Sequence, residues 1–122
     1  MEKNRDLNER LIEFASYCID VAESLPNTYA GNYFSGQLIR SGSSPALHYG
    51  EAKSAESASD FVHKMKVCLK ELRETYNCLK LIKKKNWSNL NVEELIVETD
   101  ELIAIFCSSI NTAQKSRKRK SV

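Results

Sequence analysis

The chain has 122 residues, of which 42% are hydrophobic and 28% charged, with a formal net charge of +2. That length fits one domain with a modest core, and the composition is that of an ordinary soluble protein. No apolar run reaches the roughly 18 residues of a membrane span, and the charged start, Met1 to Asp6, is no signal core, so neither membrane nor secretion is expected.

Few prolines and glycines, with abundant Leu, Glu, Lys and Ala, predict an all-α protein. The first helix is expected from about Asp6 to Leu25. Asp6 with Glu9 resembles a capping box. Leu7, Leu11, Phe14, Cys18, Val21 and Leu25 recur at spacings of four and three, which places them on one face. Pro26-Asn27 ends it.

The second helix is expected from about Tyr29 to Ala55. Gly31, Gly36, Gly42 and Gly50 each disfavour it by roughly 1 kcal/mol and Pro45 by roughly 3, a handicap near 7 kcal/mol. Packing must offset that, through small residues (Gly42, Ala46, Gly50 and the serines) that admit a neighbouring backbone. A kink at Pro45, or two short helices broken at Ser43-Ser44, is the alternative.

The third helix, about Ala58 to Lys84, carries Phe61, Met65, Cys68, Leu72, Thr75, Leu79 and Ile82 in the same rhythm. Val62, Leu69 and Tyr76 form a second line beside it. Lys83, Lys84 and Lys85 suit the negative end of that helix and read as a solvated terminus. After a loop in which Trp87 caps the core, Asn91 and Glu94 open the fourth helix. Its seam is Val92, Leu95, Thr99, Leu102, Phe106 and Ile110, flanked by Ile96 and Ile103. The flanking lines suit a subunit interface and a broad core stripe equally. Short loops between four amphipathic helices predict an antiparallel up-down four-helix bundle over residues 1–114, followed by a disordered tail at 115–122.

The combination of Gln37-Leu38-Ile39-Arg40, Ser43-Ser44-Pro45-Ala46, Tyr49-Gly50-Glu51-Ala52, Asp60-Phe61 and Leu69-Lys70-Glu71-Leu72-Arg73-Glu74-Thr75 resembles a known family. It is the four-helix-bundle family named for proteins encoded in intervening sequences of bacterial 23S ribosomal RNA genes. The resemblance implies a bacterial cytoplasmic protein that assembles as a homopentamer and has no established enzymatic activity. A related branch, the accessory proteins of diversity-generating retroelements, implies nucleic acid and a reverse transcriptase as partners. Two departures are visible: His48 stands where the family usually has Asn, and the body is acidic where the accessory branch is basic.

Gln37, Arg40, Glu51 and Glu71 are the polar residues that carry the resemblance. They read as a network of charged hydrogen bonds fixing helix register, because such groups are tolerated inside only when mutually paired; a ligand or RNA site is the alternative. A di-metal carboxylate site needs two Glu-x-x-His motifs. The chain has only Asp60-x-x-His63 and the reversed His48-x-x-Glu51, so neither metal nor cofactor is expected. His48 is expected to be packed and His63 exposed. Ser43 and Ser44 lie in no G-x-S-x-G or Ser-x-x-Lys arrangement, and no enzyme is expected. Cys18, Cys68, Cys78 and Cys107 are scattered singly, as free thiols of a reducing cytoplasm are.

Five of the 18 basic residues, Lys115, Arg117, Lys118, Arg119 and Lys120, lie in one acid-free run. That leaves thirteen against 16 acids, about −3 on residues 1–114. Such a tail suits the phosphates of RNA or DNA, and without interleaved aromatics it carries no sequence preference. A merely solubilising end is the alternative. The expected function is a non-enzymatic oligomer that binds nucleic acid weakly; the alternative is a scaffold for another protein, such as a retroelement reverse transcriptase.

Overall fold

The computed structural model describes the backbone of residues 6–120 and the side chains of residues 6–116. It consists of four helices: α1 (Leu7–Glu23), α2 (Tyr29–Lys53), α3 (Ala58–Lys85) and α4 (Val92–Lys120). No strand occurs among the described residues.

Local chemistry sets the helix ends. The side chains of Asp6, Thr28 and Ser57 accept from the backbone N–H groups of Glu9, Gly31 and Asp60, each at 3.0 Å. Asn91 accepts from the Glu94 N–H at 3.1 Å. Each thus satisfies a donor that the helix itself leaves unpaired. At the far end of α3, Asn86 takes a left-handed conformation (φ 55°). Its N–H reaches the Lys83 carbonyl and that of Trp87 the Ile82 carbonyl, the hydrogen-bond pattern of a Schellman motif.

The interior is built from the expected seams. Leu11, Phe14 and Cys18 of α1, Met65, Leu72 and Leu79 of α3, and Leu102 and Phe106 of α4 are fully enclosed. Full burial of such a side chain contributes about 1.5–3 kcal/mol. Trp87 packs against this core and tilts over Phe34 with ring centroids 6.0 Å apart. α1 packs along α2, α2 along α3 and α3 along α4, while α1 and α4 touch only sparingly.

α2 is one helix with Pro45 inside it, not two. Neighbours hold it at two points. A Cβ built on Gly42 would fall 2.7 Å from the Cys18 sulfur and 2.8 Å from the Cys18 Cβ, so only glycine allows α1 this close. The buried Thr75 hydroxyl of α3 lies 2.9 Å from both the Ser41 hydroxyl and the Glu71 carbonyl. Gly50, expected to admit a neighbour too, has nothing within 4 Å of its built Cβ, and nor has Gly36.

Val62 and Ile96 are buried, and Leu69, Tyr76 and Ile103 pack partly buried against the core, so the flanking lines belong to the core stripe of this chain. Two expectations change. His48 is exposed, with His63: the buried line of α2 runs through Leu38, Gly42, Pro45 and Ala52, and position 48 lies off it. Finally, α4 continues as helix past Gln114 to Lys120, where composition suggested a disordered tail.

The glycines predict opposite responses to one substitution. Gly42→Ala overpacks the α1–α2 contact and loses stability, by about 1–3 kcal/mol. Gly36→Ala, in open space, gains about 0.5–1 kcal/mol from its better helix propensity. Urea unfolding of the two variants measures both signs.

Candidate functional site

Of the four polar residues expected to form a network, the structure joins three. Arg40 of α2 donates to Glu71 of α3 at 2.7 Å and to Gln37, one turn back, at 3.0 Å. Its remaining partner is Glu74, again on α3. Glu51 stands apart, 59% exposed, 3.9 Å from the His48 ring, whose Nδ1 lies 2.9 Å from the Ser44 carbonyl. The Arg40 side chain is 49% exposed, so this is a surface clamp between α2 and α3. Exposed pairs of this kind contribute about 0.2–1 kcal/mol, enough to favour one register but not to hold the fold.

The buried ion pair lies elsewhere. Arg10 of α1 donates from Nε and a terminal nitrogen to the two carboxylate oxygens of Glu98 on α4, both at 2.7 Å. Glu101 approaches to 3.8 Å. Arg10 is 7% and Glu98 3% exposed. The Glu98 hydrogen bond, helped by the charges of Glu98 and Glu101, raises the Arg10 pKa against the opposing effect of burial. A two-pronged, desolvated contact of this type fixes helix position as well as charge. The sequence carries its signal: Arg10 falls within the apolar arc of Leu7, Leu11 and Phe14, and Glu98 between Leu95 and Leu102.

Between α1 and the start of α4, Tyr17, Asp20, Val21, Leu90, Glu94 and Leu95 line a groove of about 160 Å³. No group of three or more His, Cys, Asp or Glu side chains suited to a metal ion occurs among the described residues. None of the helices is long and apolar enough to cross a membrane, among the same residues.

All four cysteines are free. Burial pushes Cys18 up strongly, with a smaller contribution from Cys78. Cys78 is pushed up to about 11 by burial. Cys68 reaches about 11 through burial and then the charges of Glu51 and Glu71. Cys107 is half-buried, 3.5 Å from the Arg73 guanidinium. Of the basic tail, Lys115 is exposed on α4. The backbone of Arg117, Lys118, Arg119 and Lys120 is helical, and their side chains lie outside those described.

Capped helices, a broad apolar core, a buried α1–α4 ion pair and an exposed α2–α3 guanidinium clamp define an all-α, four-helix protein. The chain belongs to the 23S rRNA-intervening sequence protein family, whose pattern matches residues 3–108; this is the family its residues 37–76 resemble. It is also similar to the crystal structure of a protein of unknown function from the S23 ribosomal protein family of Bacteroides thetaiotaomicron VPI-5482. The TM-score is 0.75 at 29% identity, over 84% of this chain and 96% of that one. No curated protein matches.

Two measurements check the site. Glu98→Ala strands a buried guanidinium and is expected to cost about 3–5 kcal/mol, whereas Arg10→Met combined with Glu98→Leu recovers most of that loss. Denaturant unfolding of Arg10→Met, Glu98→Leu and the double variant, read as a double-mutant cycle, gives the coupling. For the thiols, an Ellman-type reagent at about pH 8 is expected to modify Cys107 first and to spare Cys18, Cys68 and Cys78 until the chain unfolds.

Proposed function

We propose that this chain is a non-enzymatic, self-assembling helical bundle that holds nucleic acid weakly, and without sequence preference, through Lys115 to Lys120. The observation that carries the reading is the separation of charge. Five cations and no acid occupy residues 115–120, while the remainder of the chain carries thirteen bases against 16 acids. A polyanion is repelled by most of such a body and attracted to its end. The continuation of α4 through Lys120 supports a tail that is carried on the bundle rather than hanging loose from it.

The bundle is read as up-down and antiparallel. Its support is the order of the contacts: Phe34 with Cys78, Arg40 with Glu71 and Ser41 with Thr75 between α2 and α3, then Lys83 with Glu93 and Arg73 with Cys107 between α3 and α4. From Phe34–Cys78 to Arg40–Glu71, and from Arg73–Cys107 to Lys83–Glu93, one partner's number rises as the other's falls.

Self-assembly, as the pentamer implied by the family resemblance, uses the outer face of α2. Tyr29, Tyr33 and Leu47 are 90%, 53% and 74% exposed there, interspersed with Gly36 and Gly50, which have open space around them. Large apolar side chains beside bare backbone favour close approach of another helix. The same face supports the second reading, a scaffold for a different protein. Light scattering separates the two: a mass above that of one chain, lowered by Leu47→Asp, favours self-assembly, and a monomer favours the scaffold.

Five phosphate contacts predict a log-affinity slope against log salt of roughly −4.5 per tail on duplex. Deleting residues 115–122 should remove about that much of the slope measured by fluorescence anisotropy. An unchanged slope refutes the role of the tail.

A further inference from the structure

The cations of the body are as unevenly placed as those of the tail. Lys80, Lys83, Lys84 and Lys85 fall within six residues without an acid among them. Set them aside, and residues 1–114 hold nine bases against 16 acids. Four of the thirteen bases that could offset an acidic body are therefore gathered at one place, the end of α3.

That place is concave. Lys80, Lys83 and Lys84 surround a hollow of about 480 Å³ between α3 and the start of α4, whose other walls are Tyr76, Ile96 and Glu93. Lys80 holds its ammonium 5.6 Å from the centre of the Tyr76 ring, and just beyond the hollow Lys85 lies 5.9 Å from the Trp87 ring.

The dipole of α3 gives a reason for lysines in its last turn, and Lys83 is further tied to Glu93 across the helix pair. Neither reason extends to Lys80, which lies more than a turn before the end and, among the described residues, meets an aromatic face and no carboxylate. Lys84 makes no ion pair among the described residues. Two exposed ammonium groups without carboxylates, over a hollow walled partly by an aromatic ring, match a phosphate backbone with a base or sugar set against the ring.

We propose that this α3–α4 hollow is a second nucleic-acid contact, in which Lys80 and Lys84 hold phosphates and Tyr76 forms the floor. It deepens the nucleic-acid reading of the tail and places a contact at the other end of α4. From Glu93, at the hollow, to Lys115 is 22 residues of helix, about 33 Å at 1.5 Å per residue. That length matches about ten base pairs of duplex, so a single short duplex can reach both cationic clusters.

The test uses the full chain, the chain lacking residues 115–122, and each with Lys80→Ala and Lys84→Ala, all bound to a labelled duplex of about 20 base pairs across a salt series. The truncated chain is expected to keep a slope of about −1.8, and the two alanines to remove it; in the full chain they lower the slope by the same amount. Lys80→Arg with Lys84→Arg should retain the slope, and circular dichroism melting should show all variants folded.

A truncated chain without salt-dependent binding, or one whose slope the alanines leave unchanged, overturns the proposal while leaving the tail reading intact. Conversely, a slope removed by the alanines and untouched by truncation retains the hollow and refutes the tail. Poly-glutamate that competes as well as the duplex, charge for charge, would overturn nucleic acid as the partner in favour of an acidic protein segment.

Discussion

Cys18 of α1 lies so near Gly42 of α2 that a methyl group there would fall 2.7 Å from its sulfur. The rest of the bundle depends on this approach. A helix with four glycines and a proline starts about 7 kcal/mol behind an alanine helix, so α2 persists only where burial exceeds that deficit. Gly31, Leu38, Ser41, Gly42, Pro45 and Ala52 are the residues it buries. Shallow side chains bring the helix axes together, and the Ser41–Thr75 hydroxyl contact then ties the adjacent position to α3. With α2 held to both neighbours, α3 presents its own apolar arc to α4.

The circuit closes less tightly than it begins. α1 and α4 meet sparingly, and the contact between them includes the desolvated Arg10–Glu98 pair. An apolar contact would tolerate some sliding of one helix past the other. A guanidinium joined by two parallel hydrogen bonds to one carboxylate does not, because displacement in any direction leaves a buried charge unpaired. The pair thus contributes positional definition where apolar packing is thinnest. The surface clamp of Arg40 with Glu71 and Glu74 adds a weaker, solvent-screened version of the same constraint between α2 and α3.

Outside the core, the distribution of charge governs what the molecule can approach. Acids are spread over all four helices, while lysine and arginine gather at the end of α3 and beyond Gln114. Coulomb attraction in salt extends only about 8–10 Å, so a polyanion senses these clusters individually rather than the small net charge. The open face of α2, with Tyr29 and Leu47 at its surface, is chemically distinct from both clusters.

Helix number, order and approximate ends were legible in the residues because their determinants are local. The four-and-three rhythm of Leu11, Phe14 and Cys18, and an Asp, Thr, Ser or Asn three residues before a free N–H, act within one or two turns. Gly42 was legible as a point of close approach, since nothing but packing could offset its presence. Its likeness to Gly50 was misleading, because contact depends on which way a position faces once the helices have rotated into place. The same rotation brought Arg40 to Glu71 and Glu74 and left Glu51 beside His48. It also set Arg10 against Glu98, 88 residues away. Periodicity therefore determined which side of each helix is apolar. Only the tertiary structure decided which charges meet across the interfaces, because that follows from the relative rotation and axial offset of packed helices, quantities that no single helix encodes.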